Sequence, residues 1–599
     1  MRNMYCLFSF LISFLLIGFS PLQSIAAHGI SIDGKLKYPA GFTQFAYVSS
    51  DAQKGGDLVL HDLGSFDKMN PFTLKGSAPE GIGNLVFEPL AVASLDEPFA
   101  KYGLITEDIK PAADGMSVTF TINKKARFSD NSPVTVHDVL FSLNTLKSEA
   151  AHPFYQSYFH DITGADILSE NTIRFNFAQK NRELHLIAAE LPVLSEKFYA
   201  AHPFNEASMT PPIGSGPYFI DKVVPGKSIA YKKNPNYWAE FHSTRKGFFN
   251  FNTITYKYFR DQLVSVEAFK AHDFDFMPVN IAKQWVRDLS GSKFDSGQII
   301  KKSLPHFNNA GMQCFVMNLR NEIFKDRRVR QAIGLAFDFQ WTNKSLFFDQ
   351  YTQSHSYFSN SKLAAAGLPK GLELQYLLPF KDQVPQEVFT RPPTPVSTEP
   401  PGSLRKNLLK AKKLLEEAGW EVRNGQLTRS DNPGLIFQFE ILLVSPSFER
   451  VMAPYVSNLK KLGIQASYRT IDPALFTRRI QKFDFDMVVN VFGQSQSPGN
   501  EQRDYWHSSM ADKEGSRNLL GLKNPVVDHL VDTIIYAATQ EELTAACRAL
   551  DRVLLYGYYV VPNWYVATHR VAYFDMFEQP KKLPLYYSPD QVLMTWWMK

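Results

Sequence analysis

The stretch Val118–Leu146 has the sequence VTFTINKKARFSDNSPVTVHDVLFSLNTL. Apolar and polar residues alternate over 117–123, which predicts a half-buried strand. Residues 130–133 (DNSP) are typical of a turn. Thr135 is followed three residues later by Asp138, the spacing of the capping box that begins a helix. The stretch therefore predicts a strand, a turn and a helix in close succession.

Strand and helix patterns alternate through the second half of the chain, which predicts α/β layers. Strand patterns cover 435–444, 464–471 and 485–492, and helix patterns cover 404–419, 448–462, 526–538 and 541–556. The first half mixes strand-rich stretches with a few helices. Residues 380–403, dense in Pro and Thr, predict a surface loop or linker.

The N-terminus has the pattern of a secretory signal. Arg2 is followed by an apolar run from Tyr5 to about Phe19, and small residues then end at Ala26 and Ala27. The run is short for a membrane span, which needs about 20 residues. We therefore expect cleavage after Ala26 or Ala27 and export to the periplasm of a Gram-negative cell, with a retained anchor as the alternative.

Composition narrows the class of protein. The chain has 599 residues, of which 44% are hydrophobic and 21% charged, as in globular proteins. A net charge of +5, without a long basic run, argues against a nucleic-acid-binding protein. Two cysteines, Cys314 and Cys547, remain beyond the signal. They either pair in an oxidising compartment or are buried free thiols.

Sequence signatures of catalysis are missing. The chain contains no HExxH, GxSxG, Walker A, CxxC or GxGxxG motif, and its 14 histidines are scattered. We therefore predict no catalytic residues, no metal site and no cofactor. An exported hydrolase stays open as the less favoured alternative, because a catalytic triad is assembled in space.

The stretch 118–146 resembles the signature of family 5 extracellular solute-binding proteins. The matching residues are Asp130, Pro133, Asp138 and Val139. Asn131 stands where the family usually has glycine, and Asn tolerates the left-handed conformation better than most residues. Further matches follow in order at 64–72 (GSFDKMNPF), 213–218 (IGSGPY), 234–238 (NPNYW) and 318–338.

The finer resemblance is to the YejA-like branch of that family. The segments that carry it include 55–56, 181–184 (NREL), 258–261 (YFRD), 337–343 (FDFQWTN), 356–358 (SYF), 497–503 (SPGNEQR) and 549–554 (ALDRVL). These ordered matches cover nearly all of the chain beyond the signal.

The resemblance implies an α/β fold of two lobes joined by a large hinge, with an extra subdomain inserted in the first lobe. We place the signal at 1–26, lobe I at 27–72, 212–303 and 561–599, the inserted subdomain at 73–211, and lobe II at 304–560.

The resemblance also implies a function. The chain is expected to be a monomeric, non-enzymatic substrate-binding protein that captures oligopeptides between its lobes. It would deliver them to an inner-membrane ABC permease and its ATPase subunits. The branch is associated with peptide antibiotics of the microcin C type. Within the family, a dipeptide, a metal complex or a sugar is the alternative ligand.

In better-known peptide binders of the family, a Trp and an Asp occupy the positions that match Phe492 and Ser495 here. That Asp pairs with the peptide amine, so the usual acidic anchor is missing. Our hypothesis is that Glu501 takes the ammonium group instead, with Asn500 or Arg503 shaping its loop. The alternative is a local ion pair between Glu501 and Arg503.

The remaining site candidates each have a structural alternative. Trp341, Phe492 and Trp506 would form pocket walls or belong to the core. Arg260 would meet a peptide carboxylate or form a local salt bridge near Asp261. Asn318 would bind the peptide backbone or cap a turn, and Gln494 lies beside Ser495 in the anchor segment.

Overall fold

The structure, a computed structural model, describes residues 27–599. The predicted secretory signal at 1–26 lies outside the described residues. Within 27–599, none of the helices combines the length and hydropathy that a bilayer span requires.

The division into lobe I, inserted subdomain and lobe II remains a proposal, and each part has its own sheets. Lobe I has a four-stranded sheet in the order Asp57–Leu63, Thr253–Phe259, Ser228–Lys233 and Tyr218–Val224. The first two strands are parallel and the other pairs antiparallel. A three-stranded sheet places Thr568–Phe574 between Phe276–Pro278 and Ile299–Pro305. The helices of lobe I are Gln262–Ala271, Gln284–Asp288, Ser292–Asp295 and Pro589–Leu593, and Phe577–Glu578 pairs with Trp597–Met598.

The inserted subdomain is an antiparallel sheet covered by short helices. Its strands lie in the order Thr106–Pro111, Ser117–Ile122, Thr172–Phe177 and Ile162–Ser169. Its helices are Ile82–Leu85, Val136–Lys147, Pro153–Tyr158, Leu184–Ala189 and Glu196–Ala201. A small sheet of Gly29–Ser31, Ala100–Gly103 and Ala91–Ala93 joins this subdomain to the start of lobe I.

Lobe II is built on a five-stranded mixed sheet. The strand order is Gln465–Thr470, Gln438–Leu443, Met487–Phe492, Met312–Met317 and Val560–Pro562. Its α-helices are Arg327–Leu335, Phe339–Phe347, Gly371–Leu377, Glu387–Thr390, Leu404–Glu417, Glu449–Lys460, Pro473–Gln481, Glu501–Trp506, Pro525–Ile535 and Gln540–Gly557. The 3₁₀ turns are Glu322–Phe324, Leu378–Phe380, Pro446–Phe448 and Ser508–Met510. Two further antiparallel pairs form, the hairpin of Trp420–Arg423 with Gln426–Arg429 and the long-range pair of Thr352–Gln353 with Trp564–Tyr565.

Both faces of the five-stranded sheet are buried. Along the strand Met312–Met317, Cys314 and Val316 face one hydrophobic core, while Phe315 and Met317 face another. This alternation follows from the two-residue side-chain period of a strand. Helices cover both faces, as the α/β prediction for this half requires.

The chain passes between the lobes twice, at 306–311 and at 566–567. The second passage lies after Tyr565, because Val560–Pro562 and Trp564–Tyr565 pair with strands of lobe II. In the proposed division, the C-terminal return to lobe I therefore begins after Tyr565 rather than at residue 561.

The local prediction for 118–146 is confirmed. The strand is Ser117–Ile122 and the helix is Val136–Lys147. The hydroxyl of Thr135 accepts the N–H of Asp138 at 3.3 Å, and the carboxylate of Asp138 accepts the N–H of Thr135 at 2.9 Å. Asn131 adopts the left-handed conformation with φ of 65°.

The other element predictions of the second half hold to within a few residues. The helix expected at 448–462 is Glu449–Lys460, and the one expected at 541–556 is Gln540–Gly557. The 380–403 segment is mostly loop, with one helical turn at Glu387–Thr390. Cys314 and Cys547 are buried free thiols in the same core.

Candidate functional site

A loop of lobe II is hydrogen-bonded to the inserted subdomain. The side chain of Asn500 is fully buried at this contact. Its amide nitrogen donates to the carbonyl of Tyr158 at 3.1 Å, and its amide oxygen accepts from Asn181 at 3.3 Å. The Ser497 hydroxyl donates to the carboxylate of Glu183. These bonds hold lobe II against the inserted subdomain.

Two arginines extend the contact. Arg503 lies 3.5 Å from the carboxylate of Asp161 in the inserted subdomain and 3.6 Å from that of Asp532 in its own lobe. The guanidinium of Arg517 lies 4.7 Å from the centre of the Phe154 ring. Arg503 thus pairs across the interface, and the local ion pair with Glu501 considered from the sequence does not form.

The contact borders a cavity of about 520 Å³ between lobe II and the inserted subdomain. A second cavity of about 750 Å³ adjoins it, between the inserted subdomain and the rest of lobe I. Lys101, Tyr155 and Glu190 line both. Each volume falls within the range of about 300–1,000 Å³ usual for ligand sites. We refer to the two together as the interlobe cavity.

Aromatic side chains form much of the wall of the interlobe cavity. They are Phe45, Tyr47, Phe72, Phe87, Phe99, Phe154, Tyr155, Tyr158, Phe159, Phe248, Phe249, Tyr256 and Tyr505. At its centre, Glu190 contacts both the ammonium group of Lys101 and the hydroxyl of Tyr158. The cavity therefore offers apolar walls with a few fixed polar groups, the usual composition of a small-molecule site.

Glu501 is an acidic group in this wall that is held by hydrogen bonds rather than by an ion pair among the described residues. It is partly buried, and its carboxylate accepts the N–H of Gly499 at 3.0 Å and a side-chain N–H of Gln502 at 3.2 Å. Ser495 donates to it at 3.3 Å. Within residues 27–599 it forms no ion pair. Burial raises the pKa of the Glu501 carboxyl, and the positive charge of Arg517 partly opposes this rise. A further cationic group placed beside Glu501 would favour its charged form.

Glu183 brings a second carboxyl to the same corner. Its side chain is buried, pairs with Arg182 at 3.0 Å, and has its pKa raised to about 8, chiefly by burial. The proximity of Glu501 contributes to the shift. The backbone of Gly499 lies between the two carboxyl groups: a Cβ there would be 2.2 Å from Glu183 Oε2 and 3.7 Å from Glu501 Oε2. Glycine at position 499 thus allows the backbone of this loop to lie close to the Glu183 carboxyl group.

The predicted anchor segment lies at the interlobe cavity. Gln494, Ser495 and Glu501 line it. The side-chain oxygen of Gln494 accepts from Gln502 at 2.6 Å, while its buried amide nitrogen has no hydrogen-bond partner among the described residues. Asn500 does not line the cavity but ties the lobes beside it.

Phe492 and Trp506 lie behind the cavity wall. Both side chains are fully buried, with ring centroids 4.6 Å apart, and Trp506 donates to Gln502 at 3.0 Å. Tyr505, which packs on Phe492 at 5.7 Å, is the aromatic residue of this group that faces the cavity. These contacts favour the core alternative for Phe492 and Trp506.

Three other candidates lie away from the interlobe cavity. Asn318 is buried, donates to the carbonyls of Phe483 and Phe485 at 3.0 and 2.8 Å, and accepts from Arg320, so its contacts favour the structural alternative. Trp341 is 47% exposed near the start of its helix and is not among the lining residues. Arg260 is exposed after a strand of lobe I and, among residues 27–599, has no ion-pair partner.

Sequence reasoning missed the inserted-subdomain side of the contact. Asn181, Arg182 and Glu183 belong to the NREL segment that carried the branch resemblance, as Ser497–Arg503 does. The two segments lie more than 300 residues apart in the chain and are in contact in the structure. Their shared presence among the branch motifs was the available signal, but it did not show that they touch.

The family model for bacterial extracellular solute-binding proteins, family 5 (middle), matches residues 100–513. The chain belongs to this family. A family 5 relative from Agrobacterium fabrum, described as probable peptide-binding protein YejA, is 39% identical over 582 residues, covering 95% of this chain and 93% of the relative. A second protein of that organism, described as peptidoglycan-binding protein YepA, is 34% identical and covers 100% and 99% of the two chains.

Solved family 5 structures share the fold. The oligopeptide-binding protein AppA from Bacillus subtilis, in complex with a nonapeptide, has a TM-score of 0.73 at 20% sequence identity. The match covers 92% of this chain and all of AppA. The α/β fold of family 5 binding proteins is thereby confirmed. Among residues 27–599, no cluster of three or more His, Cys, Asp or Glu side chains is arranged to hold a metal ion.

Proposed function

We propose that this protein is the periplasmic peptide-binding component of an ABC importer. In this proposal residues 1–26 are a cleaved signal, and the exported monomer is not an enzyme. It captures oligopeptides in the interlobe cavity and delivers them to an inner-membrane permease driven by ATPase subunits. Peptide antibiotics of the microcin C type are included among its ligands.

The observation that carries the proposal is the position of Glu501. Its carboxylate lies in the wall of a cavity formed by both lobes and forms no ion pair among the described residues, although the guanidinium of Arg517 lines the same cavity. A peptide amine is a small cation with three N–H donors, as is a lysine ammonium. Glu501 would therefore replace the acidic anchor missing at Ser495.

The aromatic walls support broad peptide specificity. Side chains such as Tyr155 and Phe248 offer apolar surface that different peptide side chains can contact. Backbone groups of an extended peptide supply hydrogen bonds that do not depend on peptide sequence. One fixed anchor for the amine, combined with adaptable walls, suits a receptor for many peptides.

Calorimetry on the Glu501→Gln variant tests the proposal. Loss of a hydrogen bond to a charged group costs about 1.5–3 kcal/mol, so a peptide with a free amine should bind roughly tenfold to a hundredfold more weakly. N-acetylation of the peptide should weaken binding to the wild type similarly and have no further effect in the variant. Glu578→Gln, at an exposed carboxylate of lobe I, is the matched control.

Equal affinity of wild type and Glu501→Gln for the free-amine peptide would contradict the anchor. Failure of the wild type to bind any peptide from a mixed library would contradict peptide binding itself.

A further inference from the structure

Lobe II contains a separate cavity that the proposed function does not use. Its volume is about 430 Å³, and the residues that line it all belong to lobe II. The helix Arg327–Leu335, the end of the helix Gln540–Gly557 and the strand Val560–Pro562 form its floor. The segment 391–397 (RPPTPVS) covers it. We call it the lobe II cavity.

The covering segment is tethered by three hydrogen bonds to its carbonyl groups. Tyr556 donates to Arg391 at 2.8 Å, Gln353 to Val396 at 3.0 Å, and Asn407 to Ser397 at 3.1 Å. These bonds hold the segment at both ends. The cavity is therefore bounded by a fixed cover rather than by a free loop.

The charged residues that line the lobe II cavity are basic, and none of its lining residues is an Asp or Glu. Arg391 and Lys410 are exposed at its edge, and neither side chain forms an ion pair with any residue in 27–599. Arg330 is 6% exposed in the floor, where it donates to the carbonyls of Gly557 and Phe324 and has no acidic partner among the described residues. An anion entering here would meet basic side chains and no acidic lining residue, because the carboxylates that act on Arg330 and Arg391, those of Asp326 and Glu387, lie outside the lining.

Two buried hydroxyl groups line the same cavity without partners. The side chains of Ser354 and Tyr357 are each 0% exposed, and neither hydroxyl has a hydrogen-bond partner within the described part of the chain. Buried polar groups are normally hydrogen-bonded, so each orphan calls for an explanation. A ligand oxygen placed beside either hydroxyl would accept its hydrogen bond.

Much of the remaining wall is apolar and aromatic. Leu335, Phe337, Leu554, Val560 and the tyrosines 556, 558 and 559 line the cavity with the prolines of the cover. Gly334 also faces open space, because a Cβ added there would have no atom within 4 Å. We propose that the lobe II cavity is a second binding site, for a small organic carboxylate with an apolar, ring-sized body.

Calorimetry and ligand-observed NMR with 3-phenylpropionate test this site, with the uncharged 3-phenylpropionamide as the comparison ligand. We expect the carboxylate to bind the wild type and the amide to bind at least tenfold more weakly. Gly334→Phe should fill the cavity and abolish binding, whereas Gly334→Ala should bind like the wild type. Neither change should lower stability, since glycine is a poor helix former.

The double variant Arg391→Gln/Lys410→Gln should bind the carboxylate roughly fivefold to tenfold more weakly at low salt. Equal binding of acid and amide, unaltered binding by Gly334→Phe, or no binding to the wild type would each overturn the proposal. Glu501→Gln should not change binding of 3-phenylpropionate to the lobe II cavity. Failure of the second-site proposal is therefore distinguishable from failure of the peptide proposal.

Discussion

The interlobe cavity and the lobe II cavity differ in charge and in construction. The first is lined by acidic side chains such as Glu183, Glu190 and Glu501 together with basic ones such as Lys101 and Arg517. The second is lined by the basic side chains of Arg330, Arg391 and Lys410 and by no Asp or Glu. The part of the first that Glu501 lines is formed where lobe II meets the inserted subdomain, while a single lobe forms the second. Ligand binding in the first should therefore depend on lobe closure, and in the second it should not.

The largest expected loss of stability comes from a change in the aromatic cluster between the two cavities. Trp506 packs on Phe492 at 4.6 Å and on Tyr357, which lines the lobe II cavity, at 5.2 Å. Trp506→Ala should cost about 3–5 kcal/mol of stability, as large-to-small core changes do. Chemical denaturation would measure this, and binding at both cavities should suffer together.

Trp341→Ala is the matched control, because this tryptophan is 47% exposed. Its effect on stability should stay within about 0.5 kcal/mol, with peptide affinity unaltered. A large loss of peptide affinity in Trp341→Ala would show that Trp341 contacts the peptide, contrary to its position outside the interlobe cavity.

Asn500→Ala should weaken ligand binding in the interlobe cavity and not in the lobe II cavity. Removing the hydrogen bonds of Asn500 to Tyr158 and Asn181 should weaken closure by about 1–2 kcal/mol, a loss of roughly fivefold to thirtyfold in peptide affinity. Binding of 3-phenylpropionate to lobe II should be unaltered. Calorimetry with both ligands on one preparation of Asn500→Ala measures the two affinities. Equal losses of affinity for the peptide and for 3-phenylpropionate would contradict the prediction that only the interlobe cavity depends on closure.

Glu183 makes the interlobe contact pH-dependent. Its pKa is raised from 4.5 to about 8, chiefly by burial and further by Glu501 and Glu190, while Arg182 opposes the shift. A raised carboxyl pKa means that the contact is most stable below about pH 4.5 and loses stability as the pH rises towards 8.

Glu183→Gln keeps the shape of the side chain and removes its titration. We expect its melting temperature to match that of the wild type near pH 5 and to exceed it by a few degrees at pH 8. Thermal scans between pH 5 and pH 8 test the sign of the difference in melting temperature between the variant and the wild type. A difference in melting temperature that stays constant with pH would show that Glu183 does not titrate between pH 5 and pH 8.

The sequence predicted local structure better than contacts. The capping box at Thr135 and the left-handed Asn131 depend on near neighbours, so a short stretch defined them. The contact between Asn181 and Asn500 spans 319 residues and depends on how the lobes close. No local pattern specifies such a contact.

The sequence predicts only part of the candidate site, because local patterns do not specify contacts between distant segments. The absence of an acidic residue at Ser495 points to Glu501 as the anchor, and both residues lie at the interlobe cavity. The sequence does not predict the burial of Phe492 and Trp506, because an aromatic residue at the end of a strand or helix suits a core and a pocket equally well. The lobe II cavity was not foreseen, since its lining comes from segments between residues 330 and 562.

The most direct test of peptide capture through Glu501 is mass spectrometry of the ligands retained by the protein purified from its native host. We predict peptides with free amino termini on the wild type and their loss from Glu501→Gln purified in parallel. A retained sugar or metal complex in place of peptides, or the same peptides retained equally by both proteins, would contradict peptide capture by this anchor.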